Sequence, residues 1–125
     1  MKIKNVSFVG LGVMGFPMAG FLHKNNFKVN VYNRTQSKSQ KWTQQYGGSI
    51  FTNPGDAVKD SDAIFICVGR DEDLIDVMEG SKGILSNSKK NAIIVDHTTT
   101  SANIARKYAS ICKENKKYFL DAPIS

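Results

Sequence analysis

The stretch FVGLGVMGFPMAGFL, Phe8 to Leu22, limits what this chain can fold into more than any other part of it. Ile3, Val6, Phe8 and Val9 form an apolar lead-in, glycines follow at positions 10, 12 and 15, and Met14, Met18, Phe21 and Leu22 then recur at i, i+4, i+7 and i+8. That order predicts a buried strand, a tight turn and a helix whose methionine and leucine face is turned inward. Pro17 falls in the first helical turn, where its missing N–H costs little. The spacing is G-x-G-x-x-G, in which the first glycine makes the turn, the second leaves room for a pyrophosphate and the third lets helix and strand pack closely. The unpaired N–H groups and positive dipole end of the following helix favour an anion at the same place. The competing reading has all three glycines serving packing alone.

Strand and helix signals then alternate along the chain, as in a doubly wound α/β sheet with mostly parallel strands and helices on both faces. Asn25-Asn26 is placed to stop the first helix, and Phe27 to Tyr32 reads as the second strand. Thr35 is placed to cap a helix over residues 36–46 that Gly47-Gly48 ends, and on it Trp42 and Tyr46 lie one turn apart and are expected to pack on the sheet. Residues 49–51 read as a third strand, and Asn53-Pro54 as the cap and first position of a brief helix. AIFICV, Ala63 to Val68, is apolar throughout, as expected of a central strand covered on both faces. A helix follows with Asp71, Glu72 and Asp73 in its first turn and Leu74, Val77 and Met78 inward, stopped by Gly80; the acids read as dipole capping or as a phosphate-repelling rim. A polar connection over 81–91 whose Gly83-Ile84-Leu85 is expected to pack back on the sheet, a strand over 92–95, a helix capped by Ser101 and a last strand over 118–120 complete the pattern.

At 125 residues, 41% of them hydrophobic, the chain is expected to form one domain with a real core. It lacks an apolar run near the roughly twenty residues that a membrane span needs, and a cytoplasmic location is expected. Cys67 and Cys112 have no metal-ligand spacing and no disulfide framework, and both read as small buried hydrophobes. The net charge of +6 arises from 17 Lys and Arg against 11 Asp and Glu spread along the whole chain, a solvated basic surface rather than the clustered footprint of a nucleic-acid binder.

Cofactor choice turns on the end of the second strand. NAD-preferring sites usually carry an acidic residue there, bonded to the ribose 2′-hydroxyl. Here Asn33 is neutral and Arg34 beside it can pair with a 2′-phosphate, so NADP is expected over NAD, with a plain surface arginine as the alternative. Ligands of open α/β sheets lie outside the carboxyl ends of the strands, which brings Val68 and Gly69 toward the cofactor and the Thr98 to Ser101 hydroxyls toward the nicotinamide. His97 is either a general base or a loop residue; only Asp96 beside it offers a carboxylate.

FVGLGVMGFPMAGFL, NRT, VDHTTTSA and FLDAPIS, in that order and spacing, resemble the β-hydroxyacid dehydrogenases, the family of 3-hydroxyisobutyrate dehydrogenase and tartronate semialdehyde reductase. The resemblance runs from about Ile3 to Ser125. It implies dinucleotide contacts from Gly10, Leu11, Gly12, Val13, Met14 and Gly15, from Asn33, Arg34 and Thr35, and from Val68 and Gly69, where the family often has Leu-Pro. It further implies that Thr99 meets the nicotinamide end and that Ser125 helps hold a substrate carboxylate. Phe21 stands where a histidine or asparagine is common, and Asn26 where glycine is usual. The family's general acid/base lysine and substrate-orienting asparagine belong to a second, all-helical domain and match no residue here; the two glycines that follow the family's serine are likewise missing. Residues 1–125 are therefore expected to be a dinucleotide-binding domain cut short of its substrate domain, slow or inactive alone, with a small hydroxyacid or semialdehyde as substrate of the full-length, homo-oligomeric enzyme. Two other readings stay open, a 6-phosphogluconate dehydrogenase-like NADP-binding domain and a non-catalytic NADP-binding scaffold module.

Overall fold

A computed structural model of the chain describes residues 2–124. Six strands form one sheet in the order β3-β2-β1-β4-β5-β6. They are β1 (Asn5–Val9), β2 (Lys28–Tyr32), β3 (Ser49–Phe51), β4 (Ala63–Ile66), β5 (Ile93–Asp96) and β6 (Tyr118–Asp121), and every neighbouring pair is parallel. The helices are α1 (Gly15–Lys24), α2 (Gln36–Tyr46), α3 (Pro54–Val58), α4 (Asp71–Met78), α5 (Ile84–Asn87) and α6 (Ala102–Glu114). The chain winds from β1 outward to β3, then crosses to β4 and winds the other way, so the switch point lies between β1 and β4.

Alternation along the strands divides the core between the two faces. Val6 and Phe8 of β1, Val29 and Val31 of β2 and Ala63 of β4 pack with Ala19 of α1 and Trp42 of α2. Val9, Ile64, Ile66 and Ile94 meet Ala57 and Val58 of α3, Leu74, Val77 and Met78 of α4, Ile84 of α5, and Tyr108 and Cys112 of α6. No helix among the described residues is long and apolar enough to cross a membrane.

Several local expectations hold. Asn26 takes the left-handed conformation after α1 (φ 70°), Gly47 does so after α2 (φ 93°), and the Asn53 and Ser101 side chains cap α3 and α6. Others need correction. Of the residues expected to face inward on α1, Met18 and Leu22 are half-buried against the core, but its fully buried positions are Gly15, Ala19 and Gly20, while Met14 and Phe21 are exposed. Close approach of the helix selects small residues at the fully buried positions: a side chain on Gly20 would run into the Tyr46 ring. Thr35 occupies the N-cap position of α2 without a side-chain cap bond. The connection over 81–91 contains a short helix, α5, whose Ile84 is fully buried. Strand β4 ends at Ile66, so Cys67 and Val68 belong to the turn that follows it.

The amino end of the sheet is tied together by one carboxylate. Asp62 accepts hydrogen bonds from the Lys4 and Asn5 N–H groups (2.9 and 3.0 Å) and from the Lys89 ammonium (2.5 Å). The Lys89 ammonium first, then the Asn5 and Lys4 N–H groups, hold its carboxyl well below the usual carboxylate range. A carboxyl depressed in this way adds stability that is complete above its unfolded value of about 3.9 and is lost as pH falls toward the folded one. Denaturant titrations are therefore expected to show the native chain losing stability below about pH 5 more steeply than Asp62→Asn. Superimposable pH profiles would show that these bonds add nothing.

Candidate functional site

The carboxyl ends of β1, β2 and β4 meet at the switch point. Backbone bonds lock the turns together there: Gly10 N–H donates to the Tyr32 carbonyl and Cys67 N–H to the Val9 carbonyl, both at 2.9 Å. Gly10 has φ 102°, and a Cβ on it would collide with the Cys67 carbonyl oxygen, so only glycine fits. A Cβ on Gly15 would collide in turn with the Gly10 carbonyl oxygen, which fixes how closely α1 sits under the loop. Around Gly12, by contrast, a Cβ would meet nothing within 4 Å.

Asn33 is a clip for this loop. Its Oδ1 accepts from Leu11 N–H (2.8 Å), its Nδ2 donates to the Thr35 carbonyl (3.0 Å), and its own carbonyl accepts from Gln36 Nε2 (2.9 Å). The side chain expected to meet a ribose is thus already engaged in joining the β1 turn to the start of α2. Leu11 contributes only backbone at this point, since its side chain is buried in the core. Among the described residues, no protein acceptor faces the N–H groups of Gly12, Val13 or Met14, and the N-cap position of α1, Met14, carries no side-chain cap. Open N–H groups at a helix start, with empty space over Gly12, form a ready anion cradle.

A cleft of about 460 Å³ opens from this cradle. Val9, Gly10, Gly12, Val13 and Met14 line one side, Tyr32, Asn33, Arg34, Thr35 and Lys38 another, and Cys67, Val68, Gly69, Asp73, Asp76 and Val77 the third. Volume and placement suit a small-molecule ligand at a switch point. Two cations, Arg34 and Lys38, face two carboxylates, and Arg34 Nη1 lies 3.5 Å from Asp73 Oδ1. Burial pushes the Tyr32 phenol above its ordinary value, with Arg34 opposing and Asp76 adding to the shift. Burial likewise raises the Cys67 thiol, with Asp96 adding to it, which leaves the thiol a poor nucleophile. Cys67, expected as a buried core residue, is half-buried and lines the cleft. Lys38 was missed. The available signal was a cation in the first turn of α2, one turn beyond Arg34, where the helix dipole disfavours it.

At the end of β5 a relay of bonds holds the next loop. Thr98 N–H donates to Asp96 Oδ1 (2.9 Å), and Val68 N–H donates to Thr98 Oγ1 (3.0 Å). Asp96 is buried, its second oxygen meets no partner among the described residues, and burial raises its carboxyl above the ordinary range despite the Thr98 bonds. Thr98 does not line the cleft itself but is the threonine bonded to Val68, which does. Thr99 is exposed and stands outside the lining of the cleft. His97 lies 2.9 Å through Nδ1 from the Ala122 carbonyl and stacks on Phe65, so its contacts are those of a loop anchor. The Ser101 Oγ accepts from Ile104 N–H (3.3 Å), and Ser101 N–H donates to Asp71 Oδ1 (3.0 Å). Ser125 lies outside the described residues.

A parallel sheet in the order 3-2-1-4-5-6, with a glycine turn and open N–H groups at its switch point, defines a dinucleotide-binding Rossmann domain. The family model for the NAD binding domain of 6-phosphogluconate dehydrogenase matches residues 5–125, and the chain belongs to that family, as an NAD(P)-binding domain of the β-hydroxyacid dehydrogenase type. An uncharacterized oxidoreductase of Shewanella frigidimarina is 50% identical over 120 residues, which is 96% of this chain and 41% of that protein. The mitochondrial 3-hydroxyisobutyrate dehydrogenase of Rattus norvegicus is 28% identical over 96% of this chain and 36% of its own length. The solved structure of Mycobacterium tuberculosis 3-hydroxyisobutyrate dehydrogenase shares the fold, with a TM-score of 0.87 at 22% identity over 99% of this chain and 41% of that one. The chain thus spans about two-fifths of the length of the relatives it matches.

Gly12 separates binding from folding. Gly12→Ala meets no neighbour, so its unfolding free energy is expected to stay within about 0.5 kcal/mol of the native chain's, while NAD(P) affinity falls at least about tenfold because the methyl fills the cradle. Calorimetric titration beside denaturant unfolding checks this. Undiminished affinity would place the phosphates elsewhere.

Proposed function

We propose that residues 1–125 are the cofactor-binding domain of an NADP-preferring oxidoreductase that moves hydride between nicotinamide and a small 3-hydroxyacid or its semialdehyde. The observation that carries the cofactor preference is the pair of cations, Arg34 and Lys38, on the cleft wall just beyond β2, where the strand ends in neutral Asn33 rather than an acid. A guanidinium and an ammonium suit a 2′-phosphate, and an asparagine already bonded to Leu11 and Thr35 gives no carboxylate for a free ribose diol. The substrate class rests on the names of the relatives, among them the rat 3-hydroxyisobutyrate dehydrogenase.

Within this reading the chain's residues hold and orient. Gly12, Val13 and Met14 present N–H groups to the diphosphate, Arg34, Lys38 and Thr35 bound the adenosine end, and Val68 and Gly69 form the wall leading toward β5. The Val68–Thr98–Asp96 relay fixes that wall, against which a bound nicotinamide would rest. When bound, the cofactor supplies or accepts the hydride. The lysine expected to give or take the hydroxyl proton, and most of the substrate pocket, are assigned to a second domain of the whole enzyme.

Removing the guanidinium tests the preference. Arg34→Ala is expected to weaken NADP about 10- to 100-fold, the range of one lost charge-assisted hydrogen bond, and to change NAD less than about threefold. Calorimetric dissociation constants for both nucleotides decide it. Equal losses for the two, or none, would remove the case for NADP.

A further inference from the structure

We infer that Asp73, at the start of α4, sets how strongly this site discriminates between 2′-phosphorylated and plain adenosine nucleotides, by holding Arg34 as a counter-ion across the cleft. The inference rests on the NADP reading above and adds a residue from the opposite wall.

Arg34 and Asp73 come from different halves of the fold: one follows β2, the other stands in the first turn of the helix after β4. Their side chains meet over the cleft, Arg34 Nη1 to Asp73 Oδ1 at 3.5 Å. The partners are unequal, for the arginine side chain is 82% exposed and the aspartate 24%. Asp73 is the more enclosed partner. Its Oδ2 lies only 2.7 Å from where a Cβ on Gly69 would stand, so the missing side chain at Gly69 is what gives the carboxylate its place. Its position in the first turn of α4 also suits its charge to the helix dipole. The carboxylate is the more buried member of the pair and the guanidinium the more exposed one.

A 2′-phosphate that pairs with Arg34 has to take it from Asp73, and then sits near that carboxylate and near Asp76, which lines the same wall. Lys38, from α2, is the other cation facing this space. A plain 2′-hydroxyl makes no such demand and leaves the Arg34–Asp73 pair intact. Asp73 therefore weakens the phosphorylated ligand selectively. The effect is that of an exposed ion pair broken on binding, a factor of a few rather than of hundreds.

Adenosine 2′,5′-bisphosphate and adenosine 5′-monophosphate probe this end of the site without the nicotinamide. Asp73→Asn is expected to tighten the bisphosphate about three- to fivefold by calorimetry and to leave the monophosphate within about twofold; Asp73→Ser is expected to do the same. In an Arg34→Ala background the Asp73→Asn gain is expected to shrink below about twofold, because the pair it relieves is gone. No gain in the presence of Arg34, or an equal gain without it, would overturn the role given to Asp73 while leaving the NADP reading standing. If Arg34→Ala alone left bisphosphate affinity unchanged, both would fall.

Discussion

The structure depends on a steric constraint at one residue, the absence of a side chain at Gly10. The chain leaves β1 with φ 102° and passes so close to the Cys67 carbonyl that no Cβ fits between them. That contact brings the turn after β1 against the turn after β4, and the Gly10 N–H bond to Tyr32 brings in the end of β2. Three strand ends are thereby gathered at the switch point. Gly15 repeats the constraint one step later, since the helix it opens is packed against the Gly10 carbonyl. The anion cradle follows from this packing: once loop and helix are this close, the N–H groups of Gly12, Val13 and Met14 meet no protein acceptor among the described residues.

Electrostatics then divides the cleft. The end proposed for the diphosphate is built from backbone, whose partial charges cannot be titrated away, and the end proposed for the adenosine from side chains of both signs. Arg34 and Lys38 attract, Asp73 and Asp76 restrain, and the Arg34–Asp73 pair links the two walls. Asn33, standing where an acid would select a free ribose, is spent on holding Leu11 and Thr35. One substitution at that position thus bears on both the shape of the loop and the choice of nucleotide.

Much of the fold was legible in the sequence because its signals were local. Alternating apolar strands, the Asn26 and Gly47 stops and the Asn53 and Ser101 caps each act within a few residues of themselves. What was misread depended on distant partners. Of the apolar set expected on the inward face of α1, Met18 and Leu22 pack against the core but Met14 and Phe21 do not, because Tyr46 and the sheet come so near to the helix that glycine and alanine occupy its closest positions. Cys67 belonged to an apolar run, but the strand ends at Ile66 and the turn carries the thiol to the cleft wall. Among the hydroxyls of Thr98 to Ser101, only the three-dimensional path of β4 decides that Thr98 is the one bonded to Val68. Arg34 could be read from its place after β2, whereas Asp73 and Lys38 become part of the site only through the packing of α4 and α2 around it.

The cradle is tested most directly by following the backbone amide resonances of the chain as NADP is added. The largest, saturable shifts are expected at Gly12, Val13 and Met14, with smaller ones at Arg34, Lys38 and Val68. A titration in which those three amides stay unmoved, while resonances at the opposite end of the sheet around Lys113, Lys116 and Lys117 shift instead, would contradict the assignment of the glycine loop as the diphosphate site.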